Sequence, residues 1–394
     1  FTQDMRKMNK QLLIILLSII CILHSCDETT KTKTSVYNHK NAECNVSSES
    51  DNLVVYAKNF KIYPYASGYK LQILNDLSSN DYYLFSDTVN IPRELDDKIV
   101  IKTPINSAIA FSSTQWSVFQ MLGELEKVKG LLESDYSKNE EILTLVKNGK
   151  IIDLGTSNHV DAEKAIHLNA DLILYTPYPA VDYSNLGKLT GSIMIPFPDY
   201  LESHPLGRAE WMKVIGILCG KEKEATRYFN DVVTRYESLS NLCSSVEYKP
   251  TVFSDLPFEN QWYVPGGNSY IAKIFFDAGG DYIWKDDNST GSLNVDAETV
   301  MLKAQNADFW RVINSYDIPF TYEKLKNDNE LYSLFKAFNE KNILVCNVRE
   351  TGYFEHSQYE PDVLLADFIY HFHPELLNDE WENYTPKYFK KLVK

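Results

Sequence analysis

The chain has 394 residues, 44% apolar and 24% charged. That suits two ordinary domains with packed cores and excludes a small disulfide scaffold. Its 54 acidic against 39 basic residues leave a net charge of −15, which repels phosphate backbones and argues against a nucleic-acid partner.

Lys7 and Lys10 precede an apolar run from Leu12 to Leu23, LLIILLSIICIL. The run is too short to span a bilayer, which needs roughly 20 apolar residues. It has the size of a signal-peptide core behind a basic start. Leu23-His24-Ser25-Cys26 follows and resembles the bacterial lipobox, with His24 where a small residue is usual. The expectation is a lipoprotein signal over 1–25, acylation of Cys26 and a polar flexible tether over 26–52; a plain secretory signal or anchor is the alternative. Cys44, Cys219, Cys243 and Cys346 show no CxxC spacing, so a zinc site is not indicated. Export permits a disulfide, and buried free thiols are the other reading.

Residues 53–98 read as short strands and hairpins, LVVYAKNF, YKLQIL and DYYLF, with turns at SGY and SSND. From Ile99 apolar runs alternate with helical patterns. IVI at 99–101, a helix near 114–124, IIDL at 151–154, a helix at 161–168, LILY at 172–175 and IMI at 193–195 predict βαβ units on a mainly parallel sheet. These make an N-terminal lobe over 53–209. A helical region over 210–245 follows, broken at Gly220. Ala225, Tyr228, Phe229, Val232, Tyr236 and Leu239 keep one apolar stripe on a helix of about 222–243, roughly 33 Å long. After Pro250 the alternation resumes through TVF at 251–253, helices at 269–277 and 296–306, DFWRVI at 308–313, a helix near 329–338, ILVC at 343–346 and a last helix at 361–371. This is a C-terminal lobe over 246–394.

The two halves echo each other. Val160-Asp161-Ala162-Glu163 leads to Asn169-Ala170-Asp171, and Val295-Asp296-Ala297-Glu298 leads to Asn306-Ala307-Asp308. Each first Asp is placed to cap a helix, with the Glu in its first turn. The fold class read from these patterns is α/β: two Rossmann-like lobes joined by one long α-helix, with an extra N-terminal β-hairpin segment.

Dinucleotide, P-loop and HExxH fingerprints are absent from the sequence. Pro265-Gly266-Gly267-Asn268-Ser269-Tyr270-Ile271 lacks the closing glycine of a nucleophile elbow. No catalytic residue, cofactor or metal site is assigned. His371 and His373 straddle a helix end, where a basic partner to the dipole suffices.

Ile152-Asp153-Leu154-Gly155 with Glu163 and NADLIL, Glu202-Ser203-His204-Pro205-Leu206-Gly207-Arg208-Ala209-Glu210-Trp211, and Trp262-Tyr263-Val264-Pro265-Gly266-Gly267-Asn268-Ser269 with Asp277-Ala278-Gly279-Gly280 together carry a resemblance. From about 99 to 390 the chain resembles ABC-transporter substrate-binding proteins of the siderophore, haem and cobalamin class, in a Bacteroidetes-type branch. Asn169-Ala170 stands where that family usually has Lys-Pro, and 53–98 is an addition. The resemblance implies a monomer with small opening motions about a rigid bridge. It implies a two-fold symmetric inner-membrane permease with its ATPase as partner, docked through Glu163 and Glu298, although capping alone also explains both motifs.

It further implies a cleft that takes an iron chelate, with cobalamin as the runner-up. The matching segments supply Ser112, Trp116, Tyr175, Tyr178, His204 and Arg208 from the first lobe, and Phe258, Trp262, Tyr263, Arg349, Tyr353 and Phe354 from the second. Aromatic walls suit a large flat ligand, and the arginines suit an anionic one. Core packing of the aromatics, salt bridges for the arginines and a helix-start role for His204 remain the structural alternatives. An exported hydrolase using cleft carboxylates and a surface lipoprotein without a permease are the rival functions.

Overall fold

The computed structural model describes residues 51–75, 78–87, 91–178, 181–258, 261–316, 320–377, 381 and 383–393. The signal segment, Cys26 and residues 26–50 of the expected tether lie outside the described residues. Among the described residues no helix is long and apolar enough to cross a membrane.

Two five-stranded sheets organise the chain. In the first lobe the strand order is Ile193–Pro196, Leu172–Tyr175, Ala108–Ala110, Val128–Leu131, Ile152–Asp153, all parallel. In the second it is Asp281–Tyr282, Thr251–Ser254, Phe309–Asn314, Ile343–Asn347, closed by an antiparallel Lys390–Lys391. Leu172, Ile173 and Leu174 are fully buried, as are Trp310 and Val312, because helices cover both faces of a parallel sheet.

The sequence echo is a structural repeat. Asp161 accepts from the Lys164 N–H at 3.0 Å and Asp296 from the Thr299 N–H at 2.7 Å, each capping its helix. The later Asp of each half then pins the start of the neighbouring strand. Asp171 Oδ2 accepts from the N–H groups of Asn106 (2.7 Å) and Ser107 (3.1 Å), and Asp308 Oδ2 from the N–H and Oγ1 of Thr251, both at 2.8 Å.

The bridge is the helix Glu222–Leu242, with Ala225, Phe229, Val232, Tyr236 and Leu239 buried along one stripe. It packs against Met212–Cys219 on one side and Pro361–Phe372 on the other. Gly220, at φ +67°, takes the left-handed conformation that ends the preceding helix and lets the chain turn into the bridge. Tyr236 donates to Asp277 Oδ2 at 2.6 Å and Arg235 Nε to Asp362 Oδ2 at 2.5 Å, tying the bridge to the second lobe.

The hairpin segment differs from expectation in three respects: LVVYAKNF is not a strand except at Phe60, which starts the strand Phe60–Tyr65; SSND, expected as a turn, opens the strand Ser78–Phe85; and the apolar run at 99–101 joins the hairpin sheet. Ile99–Lys102 is not the first strand of the lobe sheet; it pairs in parallel with Ser78–Phe85 and completes a four-stranded sheet with Phe60–Tyr65 and Gly68–Asn75. The lobe sheet instead starts at Ala108–Ala110, where a single Ile109 between two alanines gives too short a strand signal. This sheet shares the main core through Phe60, Ile62, Leu71, Ile73, Tyr82 and Leu84. Two buried carboxylates staple the residues before it: Glu210 accepts from the N–H groups of Val55, Tyr56 and Ala57, and Glu202 from those of Lys58 and Asn59. Gly207 is required beneath, since a Cβ there would sit 2.9 Å from the Tyr56 carbonyl.

In the second lobe, the helix expected near 329–338 is a 3-10 turn, Glu330–Leu334, followed by a short helix, Lys336–Asn339; the Tyr322–Asp328 helix precedes them. Cys219, Cys243 and Cys346 are buried free thiols, each pushed up to about 12 chiefly by burial.

His371 supplies an acid-sensitive clasp between the last long helix and the closing strand. Burial pushes it down to about 4, and its Nε2 lies 2.9 Å from the Phe389 carbonyl, beside Lys391. The unfolded side chain titrates near 6.5, so between those values the unfolded chain binds the extra proton and stability falls as pH drops. Up to about 3 kcal/mol is expected to be lost between pH 7 and pH 4 from this group. Urea midpoints across that range should show a shallower decline in His371→Gln; an identical decline would contradict the assignment.

Candidate functional site

A cavity of about 630 Å³ opens between the lobes at the strand ends. The first lobe contributes Ser112, Trp116, Tyr178 and Arg208, and the second Arg349 and Phe354. These are six of the twelve expected ligand residues, and the structure brings them to one space. Ser112 sits before the helix Ser113–Met121, where its Oγ meets Thr114 Oγ1 at 2.8 Å. Trp116 touches the cavity with an edge only: it is 2% exposed and packs into the main core.

The other six fall elsewhere. Trp262 is core: its Nε1 donates to the Ser254 carbonyl at 3.0 Å and its ring lies among Trp310, Tyr332 and Phe335. Phe258 and Tyr263 are exposed on a small antiparallel sheet, Pro257–Phe258, Gln261–Pro265 and Ser292–Asp296. Tyr353 is buried and accepts from Arg311 Nη2 at 3.3 Å. Tyr175 backs the wall, with its ring 5.5 Å from that of Tyr183. His204 is a helix-start residue: its Nδ1 accepts from the Leu206 N–H at 3.1 Å, and burial lowers its pKa.

Arg208 reaches the cavity with its charge already matched. Its Nε donates to Asp199 at 2.9 Å, and its guanidinium lies 4.5 Å over the Tyr270 ring. Burial works against the Arg208 charge, but Tyr270 and Asp199 more than offset it. Burial pushes the Asp199 carboxyl up, and Arg208 offsets only part of that rise. Glu133, Asp199, Tyr200, Tyr270 and Glu355 also line the cavity and were not anticipated. Only Tyr270 lay within a stretch singled out in the sequence; Asp199 and Tyr200 stand on the 3-10 turn Asp199–Leu201, Glu355 on the short helix Tyr353–His356 and Glu133 just before a 3-10 turn, short elements whose positions depend on the fold.

Hydrogen bonds cross the rim between lobes. Ser113 Oγ donates to the Phe354 carbonyl at 2.9 Å, and Ser137 Oγ to Glu355 Oε1 at 2.6 Å. Deeper in, Tyr359 donates to the Thr114 carbonyl at 2.6 Å. Among the described residues no group of three or more His, Cys, Asp or Glu side chains is placed to hold a metal ion.

Glu163 and Glu298 are exposed on the first turns of their helices. Among the described residues neither carboxylate has an ion-pair partner.

Residues 109–349 match a family model described as periplasmic binding protein. An uncharacterized lipoprotein of Methanocaldococcus jannaschii is 30% identical over 356 residues, covering 86% of this chain and 83% of that protein. A second uncharacterized lipoprotein of the same organism is 27% identical over 380 residues, covering 93% and 95%. Among solved structures, a periplasmic heme binding protein from Pseudomonas aeruginosa superposes with a TM-score of 0.56 at 14% identity, covering 74% of this chain and 99% of that one. A TroA-like periplasmic binding protein, FepB, from Veillonella parvula gives 0.54 at 18% identity, covering 74% and 96%.

Proposed function

The chain belongs to the periplasmic binding protein family, and on that premise we propose that it is the lipid-anchored receptor of an ABC importer for an iron chelate. A ferric siderophore or haem enters the interlobe cleft and is handed to an inner-membrane permease; the receptor performs no chemistry itself. The cavity carries this reading. It lies between two lobes on a rigid bridge, its volume suits a ligand of that size, and Trp116, Tyr178 and Phe354 offer aromatic walls. The heme binding and Fe3+-hydroxamate transport proteins among the structural neighbours lend the ligand class support. Lipid anchoring through Cys26 is supported by the lipoprotein relatives. Cobalamin is the alternative ligand.

The test is a titration of the purified protein with haem, ferric siderophores and cobalamin, read by tryptophan fluorescence. One of them should quench the tryptophan fluorescence saturably, at one equivalent per chain. Turnover of a substrate, with no chelate bound, would sink the reading.

A further inference from the structure

The cavity walls carry two guanidiniums, Arg208 and Arg349, against three carboxylates, Glu133, Asp199 and Glu355. The Arg208–Asp199 pair is internally matched and capped by Tyr270. The other charged residues of the lining are Arg349, Glu133 and Glu355. Both of those carboxylates are held by neutral donors, which fix their position without cancelling charge. Glu133 Oε1 accepts from the Ser157 N–H at 3.0 Å and Oγ at 3.1 Å, and Glu355, 7% exposed, accepts from Ser137 at 2.6 Å. His356 Nε2 lies 3.9 Å from Glu355 Oε2 and offsets it only when protonated.

Of the 25 lining residues 13 are Ser, Thr or Tyr, and the hydroxyls of Ser113, Tyr183 and Tyr200 donate to backbone carbonyls, which leaves their oxygens as acceptors. A hydroxyl both donates and accepts, so such a wall solvates uncharged amide or hydroxamate groups. A chain of net charge −15 adds to the negative field.

We propose that the cleft admits a metal chelate of zero or positive net charge and turns away polyanionic ones, with Glu133 and Glu355 as the selecting residues. This rests on the reading of the cleft as a chelate site. Opposed like charges in a closed cleft cost affinity, which is how a binding site rejects a wrong partner of the right size.

The experiment compares a neutral ferric trihydroxamate with a trianionic ferric tris-catecholate by isothermal titration at one salt concentration, with haem and cobalamin alongside. The neutral chelate should bind at least about tenfold tighter. Glu133→Gln and Glu355→Gln, made separately so that one misfolded variant does not decide the matter, should each narrow that gap several-fold. A catecholate bound as tightly as the hydroxamate, or a gap unmoved in both variants, overturns the charge rule. Tightest binding of haem, whose propionates are anionic, overturns it too while leaving the chelate reading intact. Binding of cobalamin alone upholds the charge rule and removes iron. Binding of none removes both.

Discussion

Truncation of Glu210 to alanine is expected to lower the free energy of unfolding by about 3–5 kcal/mol. This carboxylate is fully buried. It receives Tyr56 N–H at 2.7 Å, Val55 N–H at 2.9 Å, Ala57 N–H at 3.0 Å and Lys213 Nζ at 2.6 Å. Alanine would leave an ammonium in the core with no carboxylate partner, held by the Leu53 carbonyl at 3.0 Å and the Phe229 ring at 4.7 Å, and three backbone donors without their acceptor. Glu210→Gln keeps the shape and some of the acceptance, so its loss should be intermediate. Urea unfolding read by tryptophan fluorescence measures both. A loss under about 1 kcal/mol for the alanine variant would mean that the N-terminal sheet is not stapled to the body in this way.

Reversing both Glu163 and Glu298 to arginine is expected to abolish uptake while leaving ligand affinity unchanged. Both carboxylates project from first helical turns in equivalent places of the two halves. We propose that they meet arginines on a two-fold permease, since Arg–carboxylate pairs give directional, charge-assisted contacts. Reversal turns each attraction into repulsion, and rim charges of this kind act on docking rather than on the distant cleft. Folding should survive, because the caps are Asp161 and Asp296, which the variant retains. Normal uptake by the double variant would return both glutamates to a purely local role at the helix ends.

Particular residues show how far the sequence could be read. LILY and DFWRVI announced central strands because a strand buried on both faces must be apolar throughout. The bridge was visible as a continuous stripe from Ala225 to Leu239. Ala108–Ala110 and Val128–Leu131 were invisible because each is short and carries small residues. Gly130 is one of these: a Cβ there would meet Leu168 at 2.7 Å, so helix packing, not strand propensity, chose it. In the site, residues next to the strands, such as Ser112 and Tyr178, were legible. Trp262 was misplaced because an aromatic beside a glycine-rich turn reads the same whether its ring points into a cleft or into the core. Glu133 and Glu355 gave no pattern at all; their meaning comes from Ser157 and Ser137, brought to them by the fold.

The interlobe cavity as ligand site is tested most directly by filling it. Ser315 is exposed on the second-lobe wall, and an indole there would occupy the cavity without removing a core contact. Isothermal titration of the wild-type protein with its ferric chelate should give one site per chain. Ser315→Trp, with an unchanged unfolding midpoint, should weaken that binding at least about tenfold. Equal affinity in the two proteins would place the ligand elsewhere and remove the cleft from the mechanism.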